Sequence, residues 1–299
     1  MPPEDRCPCI RFACPDIPAL RAEGCLPVDM HIHTEHSDGR PRVAALLRAC
    51  SRLGIGVAIT DHNQVGGVEE AVRLSRDYLG VVVIPGMEVS AADGPHILLY
   101  FSDTAELREF YDRHVREYKQ ESPFLAIRRT TEEILDAAEG TGAVVVAAHP
   151  FGYAFFNKGV CKCIDRGYLD PSVLDRFDGI EAICGNMAHP LNEKAVSLAL
   201  QRRLPATGGT DGHILPDIGG VVTAAEAEDA DGFLDAIVRK RACIVGREKN
   251  FLHKGVMGAA ILPKYLPHTV PSLRIHYEQN IPRLRRFVDR SRRQRSEDR

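Results

Sequence analysis

Tryptophan is absent from the 299 residues, and aromatic side chains make up only 6% of them. A protein that grips single strands by stacking needs a cluster of aromatic rings, and none stands out. No apolar run approaches the ~18 residues that a membrane-crossing helix requires, so no membrane partner is expected. No secretion signal is expected either. MPPEDRCPCIRFACPDIP puts acids and prolines where such a signal has a basic start and an apolar centre. Charge of one sign is also lacking: 38 Lys and Arg stand against 41 Asp and Glu, a formal net charge of -3. That balance gives no sign of nucleic-acid binding by overall charge. The nine cysteines do not form the paired C-x2-C of a zinc ribbon or finger. Cys7, Cys9, Cys14 and Cys25, and Cys161 with Cys163, read as reduced thiols of a cytoplasmic protein.

What is present is ordinary in bulk and informative in order. The chain is 44% hydrophobic and 26% charged, enough for one large α/β domain. Residues 1–25, rich in Pro and Cys, read as an irregular N-terminal extension. From Leu26 to about 250, strands alternate with helices. In VDMHIHT the period of two puts His31 and His33 on one face and Met30 and Ile32 on the other. Pro41 opens a helix with Val43, Leu46, Leu47 and Cys50 at helical spacing, and Gly54 ends it. IGVAIT, VVVIPGMEV, HILLYF, AVVVAAHP and IEAIC read as further strands, with helices between them. Such alternation predicts a mostly parallel sheet, open or closed into a barrel. Residues 251–299 read as a C-terminal extension. Its arginine-rich end, RLRRFVDRSRRQR, reads as a solvated helix fraying into disorder, with attraction of nucleic acid as the alternative.

The ionisable residues fall on this pattern in a systematic way. His31 and His33 lie on the first strand, and Asp38 follows in the next loop. His62 comes directly after IGVAIT, Glu88 sits near the end of VVVIPGMEV, and His149 closes AVVVAAHP. Asp211 and His213 follow LPATGG. In a parallel sheet or barrel the C-terminal ends of strands share one rim, where sites are built. His96 opens its strand, but a strand running back from the turn after Glu88 would begin at that same rim. So many ionisable groups at the ends of apolar strands are costly unless cations compensate them. Six imidazoles and three carboxylates without a thiolate favour Zn²⁺, Mn²⁺ or Fe²⁺ over Ca²⁺. Nine ligands suit two or three ions, and the surplus positive charge suits a phosphate guest.

DMHIHTEHSDG, ITDHN, GMEVS, the His of PHILLY, AAHP and GTDGH, in this order, resemble the PHP (polymerase and histidinol phosphatase) family across residues 27–247. The resemblance implies a distorted (β/α)7 barrel carrying two or three divalent metals at its rim. It implies phosphate-ester hydrolysis by a metal-bound hydroxide. Carried over motif by motif, His31, His33, Glu88 and Asp211 would hold one ion, and Asp38, His62 and His213 a second. Glu88 would bridge to a third, shared with His96 and His149. Asp29 and Asp61 precede ligand histidines and read either as carboxylates that orient imidazoles or as ordinary strand-end caps. His36 is the candidate acid for the leaving group, with a water as the alternative.

The substrate is open: a small phosphomonoester, a nucleotide or an oligonucleotide end. Arg116, Lys119, Arg128, Arg129, Lys158 and Arg166 fall in segments that would overhang the rim, and one or two of them would clamp phosphate. Two rivals remain. One is an amide or cyclic-ester hydrolase on a similar metal rim. The other is a weakly catalytic metal-bearing module that binds a partner through its basic tail.

Overall fold

The computed structural model describes residues 9–153 and 157–281. One ten-stranded sheet organises them. It is built from β1 (Cys9–Phe12), β2 (Leu26–Ile32), β3 (Gly56–Ile59), β4 (Val83–Ser90), β5 (His96–Tyr100), β6 (Val144–Ala147), β7 (Gly179–Cys184), β8 (Ala206–Gly209), β9 (Val221–Ala225) and β10 (Cys243–Gly246). The helices between them are α1 (Ile17–Ala22), α2 (Val43–Leu53), α3 (Gly66–Leu74), α4 (Thr104–His114), α5 (Thr131–Ala138), α6 (Val160–Asp165), α7 (His189–Arg202) and α8 (Ala230–Val238), and α9 (Phe251–Tyr265) follows the last strand.

The seven strands from β2 to β8 are neighbours in sequence order and curl into a distorted barrel. Closure is made by backbone bonds at one end: His33 N donates to Gly212 O at 2.8 Å, and Gly212 N donates to His31 O at 3.1 Å. Two glycines let β8 press this close. A Cβ on Gly209 would lie 2.4 Å from the Cβ of His31, and one on Gly208 would lie 2.4 Å from Ile244 Cγ2. β5 runs antiparallel to both β4 and β6. The short β4–β5 turn therefore returns the chain at the rim, with His96 opposite Ser90.

The expected alternation on β2 holds only in part. Its register on β3 shifts between Asp29 and Ile32. Met30 joins Val28, Ala58, Ile84 and Leu98 in a cluster that Phe233 of α8 completes. Ile32 belongs to the larger core between the sheet and helices such as α2 and α3. The irregularity turns neither histidine away from the site.

Residues 9–25 are a correction to the irregular extension expected over 1–25, whose first eight residues lie outside the described ones. β1 pairs in parallel with β10, Cys9 opposite Cys243. α1 is capped by Asp16, whose side chain accepts from Ala19 N at 3.1 Å, and it buries Leu20 against Val222, Ala224 and Val245. The edge of β10 carries unpaired backbone groups that another strand satisfies. A four-residue strand among prolines and cysteines carries too few apolar positions to show a period. The arginine-rich stretch beyond 281 lies outside the described residues. Among those described, no helix is long and apolar enough to cross a membrane.

Candidate metal centre

The rim at the C-terminal ends of the strands gathers all nine residues singled out by their spacing. His31 and His33 come from the end of β2, Asp38 from the loop after it, and His62 from the residues after β3. Glu88 is in β4, His96 opens β5, His149 follows β6, and Asp211 and His213 follow β8. All nine are buried. His149 and Asp211 have positive φ, 28° and 47°, a backbone state that non-glycine residues hold at a cost of about 1–3 kcal/mol and that clusters at functional sites.

Glu88 is the hub. Its Oε2 lies 3.0 Å from His62 Nδ1, 3.3 Å from His31 Nε2 and 3.3 Å from His33 Nε2. Its Oε1 accepts from His96 Nδ1 at 2.8 Å and from His149 Nε2 at 3.0 Å. Asp211 Oδ1 sits 3.3 Å from His33 Nε2 and 3.6 Å from both His31 Nε2 and His213 Nδ1. On the other side, Asp38 Oδ2 is 3.3 Å from His213 Nε2 and 3.8 Å from His62 Nε2. Three ligand groups have donor atoms close enough to share an ion: His33, Asp38, His62 and His213; His31, His33 and Asp211; and His62, Glu88 and His96.

The chemistry of this set fits divalent cations. Glu88 Oε2, His33 Nδ1 and His149 Nδ1 are buried without a hydrogen-bond partner, which is costly unless something else binds them. Burial disfavours the charged forms of Asp38, Glu88 and Asp211, yet the imidazoles facing them hold all three well below the usual carboxylate range. Burial also opposes a charged His33, but its bonds to Asp211 and Glu88 win and push it up to about 10. His62 goes the other way, down to about 4, because burial outweighs Glu88 and Asp38. Three buried carboxylates thus demand positive charge, and an N/O set without sulfur suits borderline or hard ions.

The surroundings hold this cluster in place. Glu181, inside the apolar run of β7, accepts from His31 Nδ1 at 2.9 Å and from the backbone N of His149 at 2.7 Å. No motif marks it in the sequence; the signal for it is a lone acid amid GIEAIC. Asp29 and Asp61 prove to be loop anchors, not imidazole partners. Asp29 accepts from Thr210 N and Oγ1 at 2.9 and 2.8 Å and from Gly219 N at 3.0 Å. Asp61 accepts from Thr34 N at 2.7 Å and from Ser37 Oγ at 2.5 Å.

Above the cluster is a cavity of about 490 Å3. Leu125, Met257, Ile261 and Tyr265 give it an apolar wall, and Tyr153, Lys158, Lys254 and His276 supply polar groups. Of the six cations considered as phosphate clamps, Lys158 lines this cavity, its Nζ 2.9 Å from His96 Nε2. Arg116 is paired with Asp112 at 2.7 Å, and Arg129 stacks over the ring of Tyr118 at 3.9 Å. His36 is not brought into the cavity: its Nε2 donates to Glu70 at 2.7 Å, on a partly exposed surface. The C-terminal extension expected over 251–299 reaches the site: α9 and the helical residues after it, as far as His276, roof the cavity. The hydroxyl of Tyr265 donates to Asp38 and that of Tyr153 to Asp211. Lys264 Nζ donates to the carbonyls of Glu35 and Ser37, both at 2.9 Å. Nothing in the spacing of 251–281 announces this role.

Residues 29–203, more than half of the chain, match the family model described as PHP domain, and residues 189–242 match a second, PHP-associated. The chain belongs to the PHP family. A curated relative of the PHP protein, an uncharacterized protein of Methanocaldococcus jannaschii, is 27% identical over 168 residues, 52% of this chain and 80% of that one. Solved structures share its fold. A candidate metal-dependent phosphoesterase of Bifidobacterium adolescentis superposes with a TM-score of 0.51 at 20% identity, covering 76% of this chain and 98% of that one. The lesion-specific endonuclease Q of Pyrococcus furiosus gives 0.57 at 17% identity, covering 74% of this chain and 57% of that one. An amidohydrolase of Chromobacterium violaceum gives 0.50 at 20% identity, covering 70% and 96%. At such identities the likeness is one of fold alone. The matched family ranges end at residue 242, so the α9 roof lies outside them.

Proposed function

We propose that this PHP protein is a hydrolase of phosphate esters that depends on two or three divalent ions, Mn²⁺, Zn²⁺ or Fe²⁺. One observation carries the reading: a buried carboxylate, Glu88, whose two oxygens lie within 3.3 Å of five imidazole nitrogens. His31, His33, Glu88 and Asp211 would hold one ion, Asp38, His62 and His213 a second, and Glu88, His96 and His149 a third. Such ions supply Lewis acidity toward a phosphoryl oxygen and make water acidic enough to attack near neutral pH.

The chain's own residues do the rest. Lys158 and Lys254 face the cavity and neutralise phosphoryl oxygens. Tyr153 and Tyr265 hold Asp211 and Asp38 in one orientation. The leaving-group proton comes from water or from a cavity residue, since His36 is bound to Glu70 away from the cavity. The substrate is a small phosphomonoester, a nucleotide or an oligonucleotide end. Endonuclease Q, solved with a duplex bearing an abasic lesion, shows the fold on a nucleic acid. The amidohydrolase with the same fold keeps amide or cyclic-ester hydrolysis as the second reading.

The test is elemental analysis of the purified protein, with phosphate release assayed on phosphomonoesters, nucleotides and short oligonucleotides in Mn²⁺. Two or more ions per chain and turnover that vanishes in Glu88→Ala are expected. Bound metal with no phosphate release from any substrate, but cleavage of lactones or amides, would move the protein to the second reading. Less than one ion per chain after reconstitution would sink both.

A further inference from the structure

The C-terminal helical stretch runs from Phe251 to residue 281 with a single 3-10 turn at Leu266–His268. Its inner face lines the cavity through Lys254, Met257, Ile261, Tyr265, Ser272 and His276. Its opposite face is apolar and bare. Leu252, Val256, Leu266, Val270, Leu273 and Tyr277 are 78%, 57%, 61%, 78%, 64% and 68% exposed. They recur in steps of three and four, with exposed Ala259 and Pro263 filling the frame between Val256 and Leu266. None of the 15 residues of α9 is buried. A contiguous exposed apolar stripe of this size, on a helix whose other face already lines the cavity, marks an interaction surface.

We propose that a second copy of this chain covers the outer face, the two helices packing side by side about a twofold axis. Three observations favour this occupant. A narrow stripe in steps of three and four, about 38 Å long at 1.5 Å per residue, is the shape of a seam against another helix. With Phe251 and Leu262 beside it, the stripe exposes on the order of 1,000 Å2 of side chain, against roughly 800 Å2 per partner in a stable interface. Among the described residues its borders are neutral or paired: Gly255, Ala260, Leu262, Pro267 and Thr269 flank it, His253 is held by Asp217 at 2.5 Å, and Arg274 is paired with Glu278 at 2.9 Å. A helix lying on an anionic membrane carries lysines and arginines along those borders. A neutral, self-complementary face is what twofold pairing needs. The proposal does not rest on the chemistry assigned to the metal centre. It places the partner directly behind the helix that roofs it.

Sedimentation velocity on the full chain at micromolar concentration tests the idea. The expected result is twice the chain mass. Val270→Glu combined with Leu273→Lys, both in exposed positions, should weaken the dimer by roughly 100-fold or more while leaving metal content and the circular-dichroism spectrum unchanged. Leu79→Glu, on a distant exposed site, should leave the dimer intact. As a second measurement, amide exchange across 252–277 in the unmutated chain should slow as protein concentration rises. A monomer at about 50 µM, where a dimer of micromolar Kd would be largely formed, overturns the proposal. So does a dimer that survives the double substitution with concentration-independent exchange. A monomer that floats with phosphatidylserine vesicles also overturns it and assigns the face to lipid.

Discussion

Glu181 holds His31 from behind: its Oε1 accepts from His31 Nδ1 at 2.9 Å, leaving Nε2 as the ring nitrogen that faces Glu88 and Asp211. A carboxylate in that place fixes which imidazole nitrogen is free for a cation and raises its basicity. Glu181→Gln should therefore lower metal affinity by about 10–100-fold with little change in secondary structure. Titration of the metal-free variant with Mn²⁺ checks it. Unchanged affinity would mean that Glu181 acts only on the backbone of His149.

Removing the hub should do more. In Glu88→Gln the site loses a charge that five imidazoles face. The variant should bind at least one ion fewer, and its melting temperature should rise less with added Mn²⁺ than that of the unmutated chain. Full metal content in the variant would contradict the assignment of Glu88 as a shared ligand.

The metal-free protein should respond to pH from both sides. His33, raised to about 10, contributes stability that is complete below its unfolded value near 6.5 and is lost as pH climbs toward 10. His62, lowered to about 4, and the depressed carboxylates Asp38, Glu88 and Asp211 act in the opposite sense. Their contributions are present above the unfolded values and fade as pH falls through the folded ones. Melting curves in chelator should peak near neutral pH and fall between pH 7 and 9. Saturating metal should flatten the alkaline limb, because the ion takes the place of the proton on the imidazoles. An identical alkaline fall with and without metal would contradict this.

Lys158 reports on substrate handling. Its ammonium lines the cavity beside His96, and burial lowers its pKa. Lys158→Met should reduce kcat/KM on phosphomonoesters by about 10–100-fold through the lost charge-assisted contact, on the order of 1.5–3 kcal/mol. Metal content should be unchanged. Steady-state kinetics and elemental analysis on one preparation separate the two effects.

Gly209→Ala probes barrel closure. The new methyl would meet His31 Cβ at 2.4 Å, so β8 or β2 must move. A loss of about 1–3 kcal/mol in denaturant unfolding is expected, with weakened metal binding because His31 shifts. Wild-type stability would show that β8 can retreat without disturbing the site.

The candidate ligands were legible because each falls at a strand end and the strands announce themselves. His62 follows IGVAIT and His149 ends AVVVAAHP. His96 would reach the same rim only if its strand ran back from the turn after Glu88, and β5 does run antiparallel to β4. Three residue types of evidence were weaker. Glu181 lies mid-strand, where an acid has no motif around it. Asp29 and Asp61 sit beside ligands, and adjacency alone does not separate an imidazole partner from a loop anchor. β1 is four residues long, too short for its pattern to count against its prolines.

What the sequence by itself determined is the set of elements and the kind of atom at each strand end. Both follow from side-chain periodicity and from the cost of placing charge beside apolar runs. Tertiary structure alone decided which groups share an oxygen, which cation of six enters the cavity, and that α9 folds back as its roof. Those outcomes depend on contacts between residues far apart in the chain: Tyr265 on Asp38, Glu181 on His31, Gly209 against β2. No local pattern encodes such contacts, because each forms only when the curled sheet brings its two ends together.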